Sequence, residues 1–458
     1  MINRSKFKEK MPVLEIQKRK ASFCEVELGL PEKEALSEAA RCLNCKNSPC
    51  RSGCPVGVDI PGFISCIAAG ENQKAYETIL KDNILPSICG RVCPQEKQCE
   101  AKCIRAKNGE PVAIGRLERY AADNSKSMNK SSEIKSKGKK VAVIGSGPSG
   151  LTCAGELCKK GYEAHIFEAL HVPGGVLSYG IPAFRLPRNI IENQLEDLKN
   201  MGVKIHTNTV VGKTLLLDDL FEMGFSAVYI STGAGLPKFM GLPGEGLPGV
   251  CSANEFLTRI NLMKANNPNY DTPINIPKRI AIIGGGNVAM DAARCAVRIG
   301  CEKVFVIYRR TEDEMPARKD EITHAKEEGV EFIFLKTPVE FTENGGVLSG
   351  VKCASMKYAG VGDDGRKLFE KSSDDICEIE IEAAVIAIGN GANKILTESE
   401  KEISTKENGC IIAEEKTAKT SKKFVYAGGD AVIGAATVIL AMEAGKRAAA
   451  QIDKDLTD

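Results

Sequence analysis

The sequence predicts a mixed α/β chain, in which a small helical, cysteine-rich domain is followed by two dinucleotide-type folds of the doubly wound kind. Three observations predict it. Nine of the 18 cysteines fall between positions 42 and 103, eight of them in two short runs and the ninth at Cys66. Residues 140–169, KVAVIGSGPSGLTCAGELCKKGYEAHIFEA, read as strand, glycine turn, helix and strand. Residues 278–310, KRIAIIGGGNVAMDAARCAVRIGCEKVFVIYRR, repeat that order.

A chain of 458 residues is about three times the length of a typical domain, so roughly two to four domains are expected. Apolar residues at 43% and charged residues at 27% are ordinary globular usage. With 62 Lys and Arg against 60 Asp and Glu, the net charge of +2 gives no field to draw nucleic acid or an anionic membrane, and neither is expected as a partner. No apolar run approaches the ~20 residues that cross a bilayer. The opening MINRSKFKEKMPVLEIQKRK has charges where a signal peptide needs an apolar stretch, so a cytoplasmic location is expected. Thiols stay reduced there, and a dense cysteine cluster then points to metal rather than to disulfides.

The first domain is expected over residues 1–123. PEKEALSEAARCL (31–43) and NQKAYETILKDN (72–83) carry apolar residues at helical spacing, and Pro55, Pro61, Pro86 and Pro94 punctuate the turns. The cysteines run as C-x2-C-x4-C-x3-C over Cys42, Cys45, Cys50 and Cys54, then C-x3-C-x5-C-x3-C over Cys89, Cys93, Cys99 and Cys103. Eight such ligands suffice for two [4Fe-4S] clusters, whose irons need sulfur donors. Structural zinc usually takes two close pairs across a longer spacer, which these runs lack. Chain order does not fix the ligand sets, because in two-cluster ferredoxins the last cysteine of a run commonly serves the other cluster. His165, His171, His206 and His324 show no metal spacing.

The stretch from Cys42 through Cys54-Pro-Val-Gly-Val-Asp-Ile-Pro, with Cys89-Gly-Arg-Val-Cys93-Pro and Glu-Pro-Val-Ala-Ile-Gly-Arg-Leu-Glu118-Arg, closely resembles the iron-sulfur domain of the glutamate synthase small subunit family. That family has relatives in dihydropyrimidine dehydrogenase and in the large subunit of NADH-dependent reduced ferredoxin:NADP oxidoreductase. The resemblance implies one cluster on Cys42, Cys45, Cys50 and Cys103. It implies a second on Cys54, Cys93, Cys99 and the carboxylate of Glu118, with Cys89 a bystander. Sequence chemistry alone would favour the reverse, with Cys89 as the ligand and Glu118 as a helix-surface acid.

Residues 124–139, poor in apolar side chains and rich in lysine, read as a solvated linker. The fingerprint Gly145-Ser-Gly147-Pro148-Ser149-Gly150 follows a strand and opens a helix, the context that makes such a motif informative. Its glycines allow a tight turn, approach of a pyrophosphate to the helix N-terminus, and helix–strand packing. Glu168 ends the next strand, where a carboxylate can accept from ribose hydroxyls. Pro173-Gly174-Gly175, Gly180-Ile-Pro182, Ser231-Thr232-Gly233-Ala234 and Gly428-Gly429-Asp430 match flavin enzymes of the resembled family, which implies FAD here. By that resemblance Asp430 approaches the ribityl or pyrophosphate part, and the helix opened by Ala436 and Thr437 points its positive end at the isoalloxazine.

The second fingerprint is Gly284-Gly-Gly286-Asn287-Val288-Ala289. Where the first fold has Glu168, this one has Arg309 and Arg310, with Arg318 beyond. A ribose 2'-phosphate repels an acid and suits arginine, so NADPH is expected as the cosubstrate.

The resemblance extends over nearly the whole chain, including the Arg185 segment Tyr-Gly-Ile-Pro-Ala-Phe-Arg-Leu-Pro and Ser-Ala-Asn-Glu-Phe-Leu-Thr-Arg at 252–259. It implies an adrenodoxin-reductase-like arrangement: FAD-binding parts at 140–254 and 391–458, with an NADPH-binding part at 255–390 inserted between them. It also implies a catalytic Arg185 beside the flavin; holding a loop by backbone hydrogen bonds is the alternative.

Nicotinamide passes two electrons as hydride and a cluster passes one at a time, so a flavin between them implies a route from NADPH through FAD to the clusters, or the reverse. The leading expectation is the large subunit of an electron-bifurcating NADH-dependent ferredoxin:NADP oxidoreductase. Its partners in a hetero-oligomer would be a smaller flavin and iron-sulfur subunit and ferredoxin. The alternative is the small subunit of NADPH glutamate synthase, feeding a glutamate-forming large subunit. A non-catalytic redox sensor is a third reading, weakened by the intact second nucleotide fold.

Overall fold

The structure, a computed structural model, describes residues 3–126, 134–362, 365 and 367–457. Residues 127–133, in the middle of the expected linker, lie outside the described residues. Of its flanks, Lys126 N–H donates to Gln73 Oε1 at 3.0 Å and Lys137 N–H to the Gly161 carbonyl at 2.9 Å.

The cysteine-rich domain is helical, as its apolar spacing predicts. Its longer helices are Glu32–Ala39, Ile60–Ala68, Asn72–Leu80, Pro86–Val92 and Ile114–Asp123. Asp59 caps the second, accepting from Gly62 N–H, and Pro86 opens the fourth where a missing N–H costs nothing. The last two pack unusually close. A Cβ on Gly90 would lie 2.6 Å from the Arg119 backbone nitrogen, so only glycine lets these helices meet. One apolar core then runs from Phe63, Ile88 and Leu117 into Leu151 and Leu157 of the next fold, which docks the cysteine-rich domain directly on it.

In chain order the strands are β1 (Lys140–Ile144), β2 (Glu163–Phe167), β3 (Lys204–His206), β4 (Phe225–Ile230) and β5 (Leu236–Pro237). There follow β6 (Val250–Ser252), β7 (Arg279–Ile283), β8 (Lys303–Tyr308), β9 (Glu331–Phe334), β10 (Lys336–Asn344), β11 (Val347–Val361), β12 (Lys367–Glu380) and β13 (Ala383–Ile386). The chain returns through β14 (Asn390–Gly391) and β15 (Val425–Ala427) to the terminal helix Val438–Thr457.

Two parallel sheets result, with orders β15-β4-β1-β2-β3 and β6-β13-β7-β8-β9. Both central strands are buried after their first residue, as parallel sheets covered on two faces require. The second fold is inserted into the first: the chain leaves at β5 and returns at β14, which pair antiparallel. β15 and the terminal helix then complete the first fold, where Gly445 lies so close to the Ser149 carbonyl that a Cβ would fall 2.2 Å from it.

A division after residue 254 is too late. β6 precedes it yet pairs with β13 of the second sheet. A three-residue edge strand without a glycine turn carries too little pattern to be read from sequence. Strands β10–β12 form an antiparallel layer whose Phe341, Val351 and Cys353 cover Ala281 and Ile283 of β7. Among the described residues no helix is long and apolar enough to cross a membrane.

Candidate functional site

A cavity of about 950 Å³ lies between the two dinucleotide folds and the cysteine-rich domain. Gly145, Gly147, Pro148, Ser149, Glu168, Gly175, Gly180 and Gly233 line it from the first fold, and Asp430, Ala436 and Thr437 from the returning segment. Asn287 and Val288, at the start of the second fold's helix Asn287–Ile299, also face it, as do Val92 and Pro94.

The glycine turn has the form a dinucleotide needs. Gly145 has φ +96° and Gly150 packs against its carbonyl, where a Cβ would approach to 2.0 Å. At Gly147 an added Cβ would meet nothing within 4 Å, so the backbone there opens directly onto the cavity. Gly174 and Gly429 stand behind the lining: Gly174 N–H donates to Ser146 Oγ at 2.8 Å, and a Cβ on Gly429 would lie 2.9 Å from Ser149 Cβ.

Glu168 is buried and already engaged. Its Oε2 accepts from Ser146 N–H at 2.9 Å and from the Ser146 hydroxyl at 2.5 Å, and its Oε1 accepts from Leu170 N–H at 2.9 Å. The carboxylate therefore braces the glycine turn as well as facing the cavity. Asp430 differs, because its Oδ1 is buried without a hydrogen-bond partner. Burial pushes its carboxyl up to about 6, against a hydrogen bond from the Ala436 backbone. The open glycine backbone and this orphaned oxygen, in a cavity long enough to join both folds, fit a bound flavin dinucleotide.

In the second fold, Gly284 has φ +142° and a Cβ there would lie 2.4 Å from the Ala387 carbonyl oxygen. Gly285 is closed in by the Tyr308 ring, while Gly286 is freer, with Pro316 Cγ its nearest neighbour at 3.9 Å. Arg309 is exposed and Arg310 half-buried, and no described residue pairs with either guanidinium. Both act on Tyr308, whose hydroxyl donates to the Glu314 carbonyl at 2.9 Å. Two unpaired cations beside a glycine turn fit an anionic ribose substituent.

Arg318 is elsewhere. It is buried, donates to the Arg91 carbonyl at 2.9 Å and faces Glu96 at 3.7 Å, so it ties the second fold to the cysteine-rich domain rather than joining Arg309 and Arg310. Only its backbone N–H meets the fingerprint, donating to Asn287 Oδ1 at 2.9 Å.

Arg185 also departs from expectation. It lines the cavity, but its guanidinium is taken up by Asp291 at 2.8 and 2.7 Å and by Glu321 at 3.1 Å, both in the second fold. Burial raises the Asp291 carboxyl to about 6 even with Arg185 against it. Burial pushes Glu321 the same way, yet Arg185 and Arg294 overcome it and hold that carboxyl at about 2. Next to this pair the Phe184 ring lies under Arg294 and Arg298, at 4.5 and 4.0 Å, and those arginines bind Glu328. Arg185 is therefore a clamp between folds. Sequence spacing held no hint of partners more than a hundred residues away.

The cysteines divide into two groups. Cys42, Cys45, Cys50 and Cys103 share one small cavity walled by Ile60, Ile64 and Ile114. Burial raises the Cys50 thiol to about 11, with Cys42 and Cys103 adding to it. The turns that fold this run together place Asn44 and Ser48 at positive φ, 45° and 39°.

Glu118 stands with the other group. Burial raises Cys54 to about 11 and raises Cys99 as well, and the Glu118 carboxylate adds to both. Cys93 is raised first by its hydrogen bond with Cys89, then by burial, and Glu118 again contributes. Cys89 is instead buried against Met442 Sδ at 3.4 Å and Asn83 Oδ1 at 3.8 Å. Glu118 is no surface acid; it is buried, and burial pushes it up to about 7 against a hydrogen bond from Asn83. Among the described residues no three His, Cys, Asp or Glu side chains are grouped as a single metal ion needs. Sulfur-rich walls enclosing a space fit an iron–sulfur cluster.

Fold and site define a class: a redox protein in which two dinucleotide folds share one cavity with an iron–sulfur domain at its side. The chain belongs to the pyridine nucleotide-disulphide oxidoreductase family, which matches residues 113–214 and 139–448. Residues 19–130 match the family described as dihydropyrimidine dehydrogenase domain II, 4Fe-4S cluster. The chain is thus an oxidoreductase whose cofactors are FAD, NADP(H) and [4Fe-4S] iron–sulfur clusters.

Among its relatives, the glutamate synthase [NADPH] small chain of Escherichia coli is 35% identical over 441 residues, covering 94% of this chain and 93% of the relative. The NADP(+)-dependent formate dehydrogenase subunit beta of Moorella thermoacetica is 36% identical over 435 residues, covering 89% of this chain, which spans 60% of that subunit's length. FprA of Mycobacterium tuberculosis, solved in complex with NADPH, superposes with a TM-score of 0.59 at 17% identity over 70% of this chain and 85% of that one. That likeness shows the fold.

Proposed function

We propose that this chain is the nicotinamide- and flavin-binding subunit of a larger enzyme, moving electrons between NADPH and two [4Fe-4S] clusters. One observation carries this reading: the cavity is lined by the first glycine turn, by the start of the second fold's dinucleotide helix, and by Val92 and Pro94, which flank the cluster-side residue Cys93. When bound, FAD supplies the conversion between hydride transfer and single-electron transfer.

The chain's own residues hold and orient. Gly145, Gly147 and Gly150 let a pyrophosphate approach the N-terminus of the helix Pro148–Lys159, where backbone N–H groups and the helix dipole favour the anion. Glu168 keeps the Ser146 N–H and hydroxyl in place, and Asp430 offers its free oxygen to a hydroxyl donor. Ile144, Phe167, Leu257 and Leu396 make the walls apolar and exclude water from the reacting face. Arg309 and Arg310 hold the ribose 2'-phosphate. Cys42, Cys45, Cys50 and Cys103 hold one cluster, and Cys54, Cys93, Cys99 and Glu118 the other.

Electron bifurcation, with a smaller flavoprotein and ferredoxin as partners, is the reading suggested by sequence phrases. Service as a glutamate synthase small chain is favoured by a specific observation, the end-to-end alignment at 35% identity. Isolating the native complex separates them. A large amidotransferase-and-barrel companion is the expected result for the second, and a small flavin and iron-sulfur companion for the first. A lone chain would contradict both.

A further inference from the structure

We propose that Asn83 is the positioning residue of the Glu118-side cluster: it fixes the Glu118 carboxylate so that one oxygen, Oε2, is left to serve as a ligand. The proposal rests on the reading of Glu118 as a cluster ligand and goes beyond it. Asn83 is 1% exposed and lies in the segment between the helices Asn72–Leu80 and Pro86–Val92. Each of its amide atoms has a use. Its Nδ2 donates to Glu118 Oε1 at 2.7 Å, and its Oδ1 accepts from Leu85 N–H at 2.9 Å and faces the Cys89 thiol at 3.8 Å.

Three consequences follow from that geometry. The bond from Leu85 N–H fixes which end of the amide is oxygen, so the nitrogen must point at Glu118. A carboxylate with one oxygen held by a neutral donor is restricted to presenting the other, as ligating carboxylates elsewhere are oriented by hydrogen bonds from outside the ligand set. The same Oδ1 faces the Cys89 thiol, which also packs on Met442 and hydrogen-bonds with Cys93, so Asn83 and Met442 hold Cys89 as a thiol beside Cys93. Asn83 thus favours the carboxylate over the thiol at that position. Hydrogen bonding around a cluster and the identity of its ligand are both levers on its potential.

The test compares Asn83→Asp, Glu118→Gln and the double variant in the anaerobically purified full chain. Asn83→Asp keeps the acceptor toward Leu85 and Cys89 but replaces the donor toward Glu118 with a like charge. Paramagnetic resonance of the reduced protein and the midpoint potential of each cluster are read, with flavin content and the Cys42-side cluster as controls for folding. The expected result is that Asn83→Asp alters or abolishes the same signal as Glu118→Gln and shifts that cluster's potential. The double variant should do no more than Glu118→Gln alone, and Asn83→Gln should restore part of the signal. If Glu118→Gln changes one cluster while Asn83→Asp leaves its signal and potential as in the parent, the positioning role is overturned. If Glu118→Gln itself changes neither cluster, the ligand reading fails instead.

Discussion

Replacing Arg309 and Arg310 together with alanine is expected to raise KM for NADPH by roughly a hundredfold or more while leaving KM for NADH nearly unchanged. Each charge-assisted hydrogen bond to a phosphate is worth about 1.5–3 kcal/mol, and both guanidiniums are free of described partners, so no described residue competes for them. The phosphate is the only group that distinguishes the two nucleotides, and it is where Arg309 and Arg310 would act. Steady-state flavin reduction with each nucleotide measures the ratio. Equal changes for NADPH and NADH would mean the pair shapes the fold's edge and does not read the phosphate. Arg318→Ala should not share the selectivity, because its guanidinium is turned to Arg91 and Glu96.

Arg185→Leu is expected to destabilise the protein by about 3–5 kcal/mol, since it strands the buried Asp291 carboxylate without its cation and leaves Glu321 to Arg294 alone. Asp291→Asn should cost less, because Arg185 keeps Glu321. Thermal unfolding should show the junction of the two dinucleotide folds loosening first, with the cysteine-rich domain following the first fold whose core it shares. An unchanged unfolding profile together with slowed flavin reduction would return Arg185 to the role beside the flavin that the family resemblance implies.

These expectations show where sequence reading was strong and where it stopped. The glycine fingerprints and the reversal from Glu168 to Arg309 and Arg310 were legible because a dinucleotide imposes fixed spacing on strand, turn and helix. The cysteine runs were legible for the same reason. What local pattern could not supply was the far end of long side chains. Arg185 and Arg318 each sit in a motif-rich segment, yet their guanidiniums reach partners in other folds. Asn83 lies in no motif, and only its burial between Glu118 and Cys89 marks it. The edge strand β6 was missed because pairing with β13, far along the chain, is what makes those three residues a strand.

Nicotinamide and clusters are expected to exchange electrons only by way of the shared cavity. This is tested by adding NADP+ under anaerobic conditions to protein whose clusters have been chemically reduced, while absorbance and paramagnetic resonance are followed together. Loss of the reduced-cluster signal with matching formation of NADPH, abolished when the flavin has been stripped and restored when it is returned, is the predicted result. Equal NADPH formation in the flavin-free protein, or clusters that stay reduced while NADP+ is in excess, would contradict the account.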